Sequence, residues 1–340
     1  MKLIAQLITA LLLVTPLPGL AGSRAFVPNT GYGQLIVVDL ATDAILKTID
    51  LGYTPSGVAV SAAANRVAVT LTDLGAVQLL DATTYALLST VSTGPAPIGA
   101  AFSKDGRRLY VANAGDASVS VIDVQNGLEI SPRLPAGTSP TGVAVATNGR
   151  ALFVSNAGSN SVSMFDLTVT PPTSRTIAVG ARPTGIAVSA DGNYAYVANA
   201  DDDSISLLDA VNGLLIRTIT QGIGSSPYAV AVDARDNSAL VSHLSSSFVS
   251  IVSPPAPLSL TPYVNKVAVA PPGQCGVDID PSTGNAFVLA HPTSRARLYR
   301  LGAADHLTHG ATGEVGLAAR ALGTFVLPSD GIFANGFDGT

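Results

Sequence analysis

Two short runs in this 340-residue chain carry residue types that bind ions or move protons. Asp201-Asp202-Asp203 lines up three carboxylates, and calcium wants about six to eight oxygen ligands. No twelve-residue ligand loop surrounds them, so a solvated hairpin tip is expected instead. His306 and His309 form an H-x-x-H pair without the glutamate or helix of a zinc protease, so no metal is assigned to them. Arg182, Asp201 and His243 together hold the parts of a general acid-base site: groups that exchange a proton and a cation to steady developing charge. The chain has only two glutamates, Glu129 and Glu314, and no G-x-S-x-G elbow or P-loop. Its single Cys275 excludes an intrachain disulfide, C-x-x-C-H haem attachment, a thiolate zinc cluster and an iron-sulfur site, each of which needs at least two cysteines. A buried thiol is expected there, and no cofactor is expected anywhere in the chain.

The elements that must position these residues come from an apolar, lightly charged chain. It is 47% hydrophobic and 12% charged, with a net charge of -5. Disorder would need the reverse balance, and nucleic acid or an anionic membrane surface would need a basic footprint. At the N-terminus, Lys2 precedes the apolar run Leu3 to Val14, followed by Pro16, Pro18 and the small residues Gly19, Ala21, Gly22 and Ser23. Twelve apolar residues are too few to span a bilayer, which takes about 20, and the small residues suit signal peptidase. Residues 1–23 are therefore expected to be a cleaved signal peptide, and the mature chain is expected in the periplasm or outside the cell without a membrane span.

A repeat decides the fold. Tyr110-Val111-Ala112-Asn113 with Val119-Ser120-Val121-Ile122-Asp123 returns as Phe153-Val154-Ser155-Asn156 with Val162-Ser163-Met164-Phe165-Asp166, and as Tyr196-Val197-Ala198-Asn199 with Ile205-Ser206-Leu207-Leu208-Asp209. Degenerate copies begin at Phe26, Val67, Leu240 and Ala286. Before each full copy stands a second phrase, such as Pro140-Thr141-Gly142-Val143-Ala144-Val145, at a spacing of 42 to 47 residues. Two-residue alternation with Asp-Gly and Asn-Gly turns signals four short antiparallel strands per period. Radial repetition of such units makes an all-β propeller. The chain enters at a second strand, Ala25 to Pro28, and Leu322 to Leu327 supplies a repeat phrase on schedule near its end. One C-terminal inner strand plus three N-terminal strands would complete the first blade, giving seven blades over residues 24–331 and a tail over 332–340.

These phrases resemble the YVTN family of seven-bladed propeller repeats, in which Tyr-Val-Thr/Ala-Asn ends the second strand and Val-x-Val-Ile-Asp the third. The match departs at Leu71, His243 and the Ala290 or His291 position, where Asn is replaced, and at Ser253, where Asp is replaced. The resemblance implies an exported bacterial binding or surface protein and no particular chemistry. The tail Ile332-Phe333-Ala334-Asn335-Gly336-Phe337-Asp338 also resembles a short ending found on secreted proteobacterial proteins.

Strand alternation gathers Tyr32, Tyr53, Asp73, Asp116, Asn160, Arg182, Asp201, Asp202, Tyr228, His243 and His291 on one loop face. Loops on a rigid scaffold are where binding residues concentrate. The expected ligand-binding set is Tyr32, Tyr53, Asp116, Arg182, Asp201, Asp202, Tyr228 and His243, recognising a protein, peptide or small ligand, with the chain a monomer. The repeated asparagines Asn29, Asn113, Asn156 and Asn199 are expected to cap their own turns through local bonds to the backbone, and Asp39, Asp81, Asp123, Asp166 and Asp209 to do the same. A second reading is a lactonase-like hydrolase, which would require two carboxylates, or a carboxylate and a histidine, to converge on an arginine at the mouth of the axial channel.

Overall fold

Second and third strands such as Gln34–Asp39 and Ala151–Asn156 are buried on both faces because neighbouring sheets cover them, whereas outer strands such as Ile45–Asp50 and Leu214–Ile219 are largely exposed. The computed structural model describes residues 23–255, 264–268, 273–290, 296–302, 308–316 and 326–327. These form 28 strands in seven four-stranded antiparallel sheets, with no helix among the described residues. Blade 4 is representative: inner strand Pro140–Val145, second strand Ala151–Asn156, third strand Ser161–Asp166 and outer strand Thr173–Ala178, paired in that order. The inner strands of blades 2, 3, 5, 6 and 7 are Pro55–Ser61, Pro97–Phe102, Pro183–Val188, Pro227–Val232 and Gln274–Ile279.

Blade 1 closes the ring as the sequence leads one to expect. Its inner strand Val326–Leu327 pairs with Arg24–Asn29, with Ala25 opposite Val326 and Arg24 opposite Leu327. The expected pairing of Leu322 to Phe325, the signal segment over residues 1–22 and the tail over 332–340 lie outside the described residues. Closure gives blade 1 the same four strands as every other blade.

The core lies between blades rather than within one sheet. One buried cluster joins Ala59, Ala68, Val77 and Leu79 of blade 2 to Ala100, Leu109, Val111 and Ile122 of blade 3. Another joins Phe153, Val162 and Ile177 of blade 4 to Ile186, Ala195, Val197 and Leu208 of blade 5. Burial of such side chains stabilises by roughly 25 cal/mol per Å² of apolar surface, so each seam is a sheet-on-sheet contact that fixes its two blades together.

Inner strands approach one another at a bulge. In blade 4 the pairing runs from Pro140 opposite Asn156 to Val143 opposite Val154, so Thr141 and Gly142 face a single residue. The bulge leaves the Gly142 amide without a ladder partner, and the Ser155 hydroxyl accepts from it at 2.8 Å. Blade 2 repeats the device with the Gly57 amide and Thr70 Oγ1 at 2.7 Å, and blade 6 with the Ala229 amide and Ser242 at 3.2 Å. The same hydroxyls bond across the seam: Thr70 donates to the Ile98 carbonyl of blade 3 at 2.7 Å, and Ser155 to the Thr184 carbonyl of blade 5. A Cβ on Gly142 would collide with that Thr184 carbonyl, which is why the phrase carries glycine there.

Candidate functional site

Each inner strand runs from an entry face, where its Pro-x-Gly phrase begins, to an exit face. Every residue proposed from the sequence and lying among the described residues belongs to an entry-face loop or to a strand end beside one. They do not form one cluster. Tyr32 and Tyr53 sit in neighbouring loops and are 60% and 43% exposed, with the Gly33 backbone packed on the Tyr53 backbone and the Leu51 amide donating to the Gly33 carbonyl at 2.9 Å. They form an exposed aromatic corner above blades 1 and 2.

A second group lies above blades 4 and 5. Arg182 Nε meets Asp201 Oδ1 at 2.5 Å in an exposed ion pair. Asp202 accepts from the Ala181 amide at 2.9 Å and from Ser204 Oγ at 2.6 Å, while Asp203 accepts from the Ser226 amide at 2.8 Å. The three consecutive aspartates thus turn to three different partners and buttress the loops on either side. Among the described residues no group of three or more His, Cys, Asp or Glu side chains is placed to hold a metal ion. Arg182 has a left-handed backbone with φ 48°, but Ala96, Ser139 and Ser226 adopt φ 50°, 50° and 52° at the same place before their prolines. That conformation belongs to the repeat and marks no special site.

Asp116 belongs to a third group. Its Oδ2 receives Arg133 Nη1 at 3.2 Å, and Arg133 Nε also donates to Glu129 Oε1 at 2.7 Å. Glu129 and Arg133 stand on the outer strand Leu128–Pro135. Burial alone would raise the Glu129 carboxyl, but bonds from Arg133 and Ser120 outweigh it and hold the group below its usual range. Two carboxylates do converge on an arginine here, yet at the rim of the ring rather than at its axis.

Tyr228 is half-buried on the inner strand of blade 6 and packs against apolar residues of the surrounding clusters, with its carbonyl accepting from Thr184 Oγ1 at 2.8 Å. It is a seam residue more than a loop residue.

His243 requires a correction. It is not part of an exposed loop surface but fully buried at the end of strand Ala239–His243. Its Nδ1 lies 3.1 Å from the Phe248 carbonyl and its Nε2 accepts from the Gly224 amide at 3.1 Å, an arrangement that fits a neutral ring protonated on Nδ1. Burial pushes its pKa down to about 4, against the smaller upward pull of the Phe248 carbonyl. In blade 4 the same position is Asn156, whose Oδ1 accepts from the Gly137 amide at 3.1 Å. His243 therefore replaces the repeat's asparagine in a structural bond. With His243 in blade 6 and Arg182 paired to Asp201 between blades 4 and 5, the acid-base constellation read from the sequence is not assembled.

The asparagines also act differently from the expectation. Asn113 Nδ2 donates to Ser118 and Ser120, both at 2.9 Å, and Asn156 Nδ2 to Ser161 and Ser163 at 3.1 and 3.0 Å. Their partners are hydroxyls of the following strand and not the backbone of their own turn. The signal was present: a Ser-x-Ser spacing puts both hydroxyls on one strand face. The strand-ending aspartates do cap their turns. Asp81 Oδ1 accepts from the Thr83 and Thr84 amides at 2.9 and 2.8 Å, and these bonds hold its carboxyl below the usual value. Cys275 is buried, its thiol donating to the Leu289 carbonyl at 3.6 Å, and His291 and His306 lie outside the described residues.

A ring of seven seam-locked antiparallel blades, with short loops on two faces, defines a β-propeller repeat protein. The chain belongs to the Choice-of-anchor I domain family, whose model matches residues 33–260, two thirds of the sequence. No curated protein matches it. Among solved structures it is similar to a functionally unknown protein from Desulfotomaculum acetoxidans DSM 771, with a TM-score of 0.75 and 16% identity over 89% of this chain and 98% of that one. Kuenenia stuttgartiensis hydrazine synthase matches with a TM-score of 0.60 and 18% identity over 72% and 76% of the two chains. The Cps50 (Swd1) β-propeller domain of Myceliophteria thermophila matches with 0.66 and 14% over 80% and 90%. At these identities the likeness is one of fold, and one fold serves many functions.

Proposed function

We propose that the protein is an exported, non-catalytic binding scaffold of the bacterial periplasm or cell surface, with YVTN-type repeats, that recognises a protein, peptide or small ligand through its entry face. The reading rests on one observation: a rigid closed ring holds Tyr32, Tyr53, Arg182, Asp201 and Asp202 on loops of one face, outside the packed seams. Aromatic and arginine side chains are enriched in interface cores because they supply contact area and directional bonds together. Membership of the Choice-of-anchor I domain family supports a surface role. Among the described residues no helix is long and apolar enough to cross a membrane.

The test is a thermal-shift screen of the chain lacking residues 1–23 against metals, lactones and periplasmic extracts, since any ligand preferring the native state raises Tm. A ligand found this way should bind Tyr53→Ala and Arg182→Ala variants more weakly while their own melting stays close to that of the parent. Unchanged binding by both variants would move the site off the entry face. Turnover of a lactone that survives those substitutions would overturn the non-catalytic reading.

A further inference from the structure

The exit face carries a feature that the entry-face reading does not use. Between blades 4 and 5 lies a half-open groove of about 740 Å³, within the range of about 300 to 1,000 Å³ typical of ligand sites. One position in the turn between third and outer strands differs from blade to blade along this face. The residue there in blade 2 is Tyr85, whose ring packs edge-on against Phe26 of blade 1 at 6.2 Å between centroids. In blade 1 it is Asp43, paired with Arg300 of blade 7 at 2.7 Å. In blade 3 it is Gly127, beside Ser89 of blade 2, and in blade 5 it is Gly213, which lies against Met164 and Arg175 of blade 4 and has no side chain of its own to fill the groove.

The walls are unusually basic for an acidic chain. Arg66, Arg108, Arg133, Arg182, Arg235 and Arg300 each hold a carboxylate within 3.8 Å. Arg150 and Arg175 line the groove and form no such ion pair, although, after the Thr168 bonds, the Arg150 charge helps to hold the carboxyl of the groove's Asp166 below the usual range. Arg175 donates one N–H to the Asn212 carbonyl, which leaves most of its fork open, and the Arg150 guanidinium has no hydrogen-bond partner among the described residues. The one carboxylate in the groove, Asp166, is occupied by the Thr168 amide at 2.8 Å and the Thr168 hydroxyl at 2.6 Å. Met164, Val211 and Leu214 add apolar surface, the last two exposed at 64% and 58%.

We propose that this groove binds an extended acidic peptide of a partner protein, with an aspartate or glutamate side chain held by Arg150 and Arg175 and an adjacent apolar side chain resting on Met164, Val211 and Leu214. Two guanidiniums against one satisfied carboxylate favour an anion, and arginine forks match carboxylates in geometry as well as charge. Because the groove is about half-open to solvent, it suits side chains of a larger partner better than a small enclosed molecule.

The experiment is selection of a displayed random-peptide library on the protein lacking residues 1–23, followed by titration of the enriched peptides. The expected result is an enriched pattern with an acidic residue beside an apolar one. Its affinity should fall about tenfold or more in R150A/R175A. Gly213→Tyr should abolish binding by filling the groove; its backbone φ of 64° matches the 63° of Tyr85, and the added Cβ, 2.7 Å from Met164 Sδ, requires that flexible side chain to move aside. Melting of each variant is measured alongside, and R150A/R175A, which alters exposed side chains only, guards against a misfolded G213Y. Enrichment without acidic residues, or peptides that bind both variants as tightly as the parent, would overturn the proposal. So would self-association of the chain lost in G213Y without peptide enrichment, which would assign the groove to a second copy. Arg182→Ala leaves this binding intact, so failure here is separable from failure of the entry-face reading.

Discussion

Near the axis, the seams reuse a small set of parts, though blade 6 carries Ala229 where most blades have glycine; at the rim, the seams are filled more variously. Inner strands meet through Gly99, Gly142 and Gly185, where an added Cβ would strike the backbone of the next blade, and through hydroxyls such as Thr70, Ser155 and Thr184 that bond carbonyls across the gap. At the exit-face rim the corresponding turn residue is Asp43 in an ion pair, Tyr85 on an aromatic ring, or Gly213 beside an open groove. The contrast has a physical cause. Closing a ring of seven sheets tolerates no slack at the smallest radius, whereas the blades splay apart outward and leave room that different side chains can fill or leave empty. Interior positions should therefore be interchangeable between blades and intolerant of added volume, and rim positions the opposite.

The largest effect should come from opening the ring. Deletion from Ala321 onward removes Val326–Leu327 and its pairing with Arg24 and Ala25. Buried backbone groups left without partners cost about 1 to 3 kcal/mol each, and several of them approach a typical total stability of about 5 to 15 kcal/mol. Loss of a cooperative melting transition is expected, whereas deletion after Gly331 should leave Tm nearly unchanged. Equal melting of the two would refute closure by this strand. Next in size is Gly142→Ala, which forces the Thr184 carbonyl away and should cost about 1 to 3 kcal/mol by overpacking. Gly149→Ala is its control at an exit-face turn, with φ +71° and nothing within 4 Å of an added Cβ. Only the left-handed backbone penalty of about 1 kcal/mol applies there. Chemical denaturation of the two variants measures the difference, and a larger loss for Gly149→Ala would break the distinction between a packed seam and an open turn.

What the sequence made legible follows the same division. Four strands per period, the Pro-x-Gly phrase and the late start at Ala25 could all be read because turn residues and alternation are local signals, repeated often enough to average out degenerate copies, whereas the bulge at that phrase could not. Seam bonds from Thr70 and Ser155 were not legible, because their partners lie one blade away and nothing local distinguishes a hydroxyl that crosses a seam from one that faces water. His243 was misplaced for a related reason. A histidine at a strand end beside a loop suggests an exposed titratable group, and only the repeat alignment with Asn156 shows that it stands where a buried amide otherwise does. The Arg182–Asp201 pair was anticipated as a neighbourhood, but not the separation of Asp116 and His243 from it, since face assignment fixes height along the axis and not position around the ring.

His243 tests whether interior positions really are interchangeable. Replacing it by alanine leaves the Gly224 amide without its acceptor, a loss of about 1 to 3 kcal/mol. His243→Asn restores the residue of blades 1, 3, 4 and 5 and should recover much of that loss. The imidazole also carries a pH signature. Its pKa is about 4 in the fold against a usual 6.5, so the unfolded chain takes up the proton first as pH falls. Stability from this group is present above about pH 6.5 and is lost progressively toward pH 4, with a full difference on the order of 3 kcal/mol. Denaturation curves across that window should slope for the parent and flatten for His243→Asn. Parallel slopes would mean that the ring is solvated or already charged in the fold.

The smallest effects belong to the rim arginines, and they separate a buttress from a recognition residue. Arg133 bridges Glu129 at 2.7 Å and Asp116 at 3.2 Å on the outer strand of blade 3, a three-charge network at about one-third side-chain exposure. Arg182 holds Asp201 alone, with 43% and 54% of the two side chains exposed. Exposed pairs contribute about 0 to 1 kcal/mol, and networks with good geometry sit toward the upper end. Arg133→Ala should therefore lower stability by up to about 1 kcal/mol and Arg182→Ala by about 0.5 kcal/mol or less. Their order should invert for binding: an entry-face ligand loses affinity with Arg182→Ala and is indifferent to Arg133→Ala, because the latter guanidinium is already spent on two carboxylates. Melting curves and one titration per variant decide the matter. If Arg133→Ala were the variant that lost ligand, recognition would have to lie on the outer wall of blade 3 and not above blades 4 and 5.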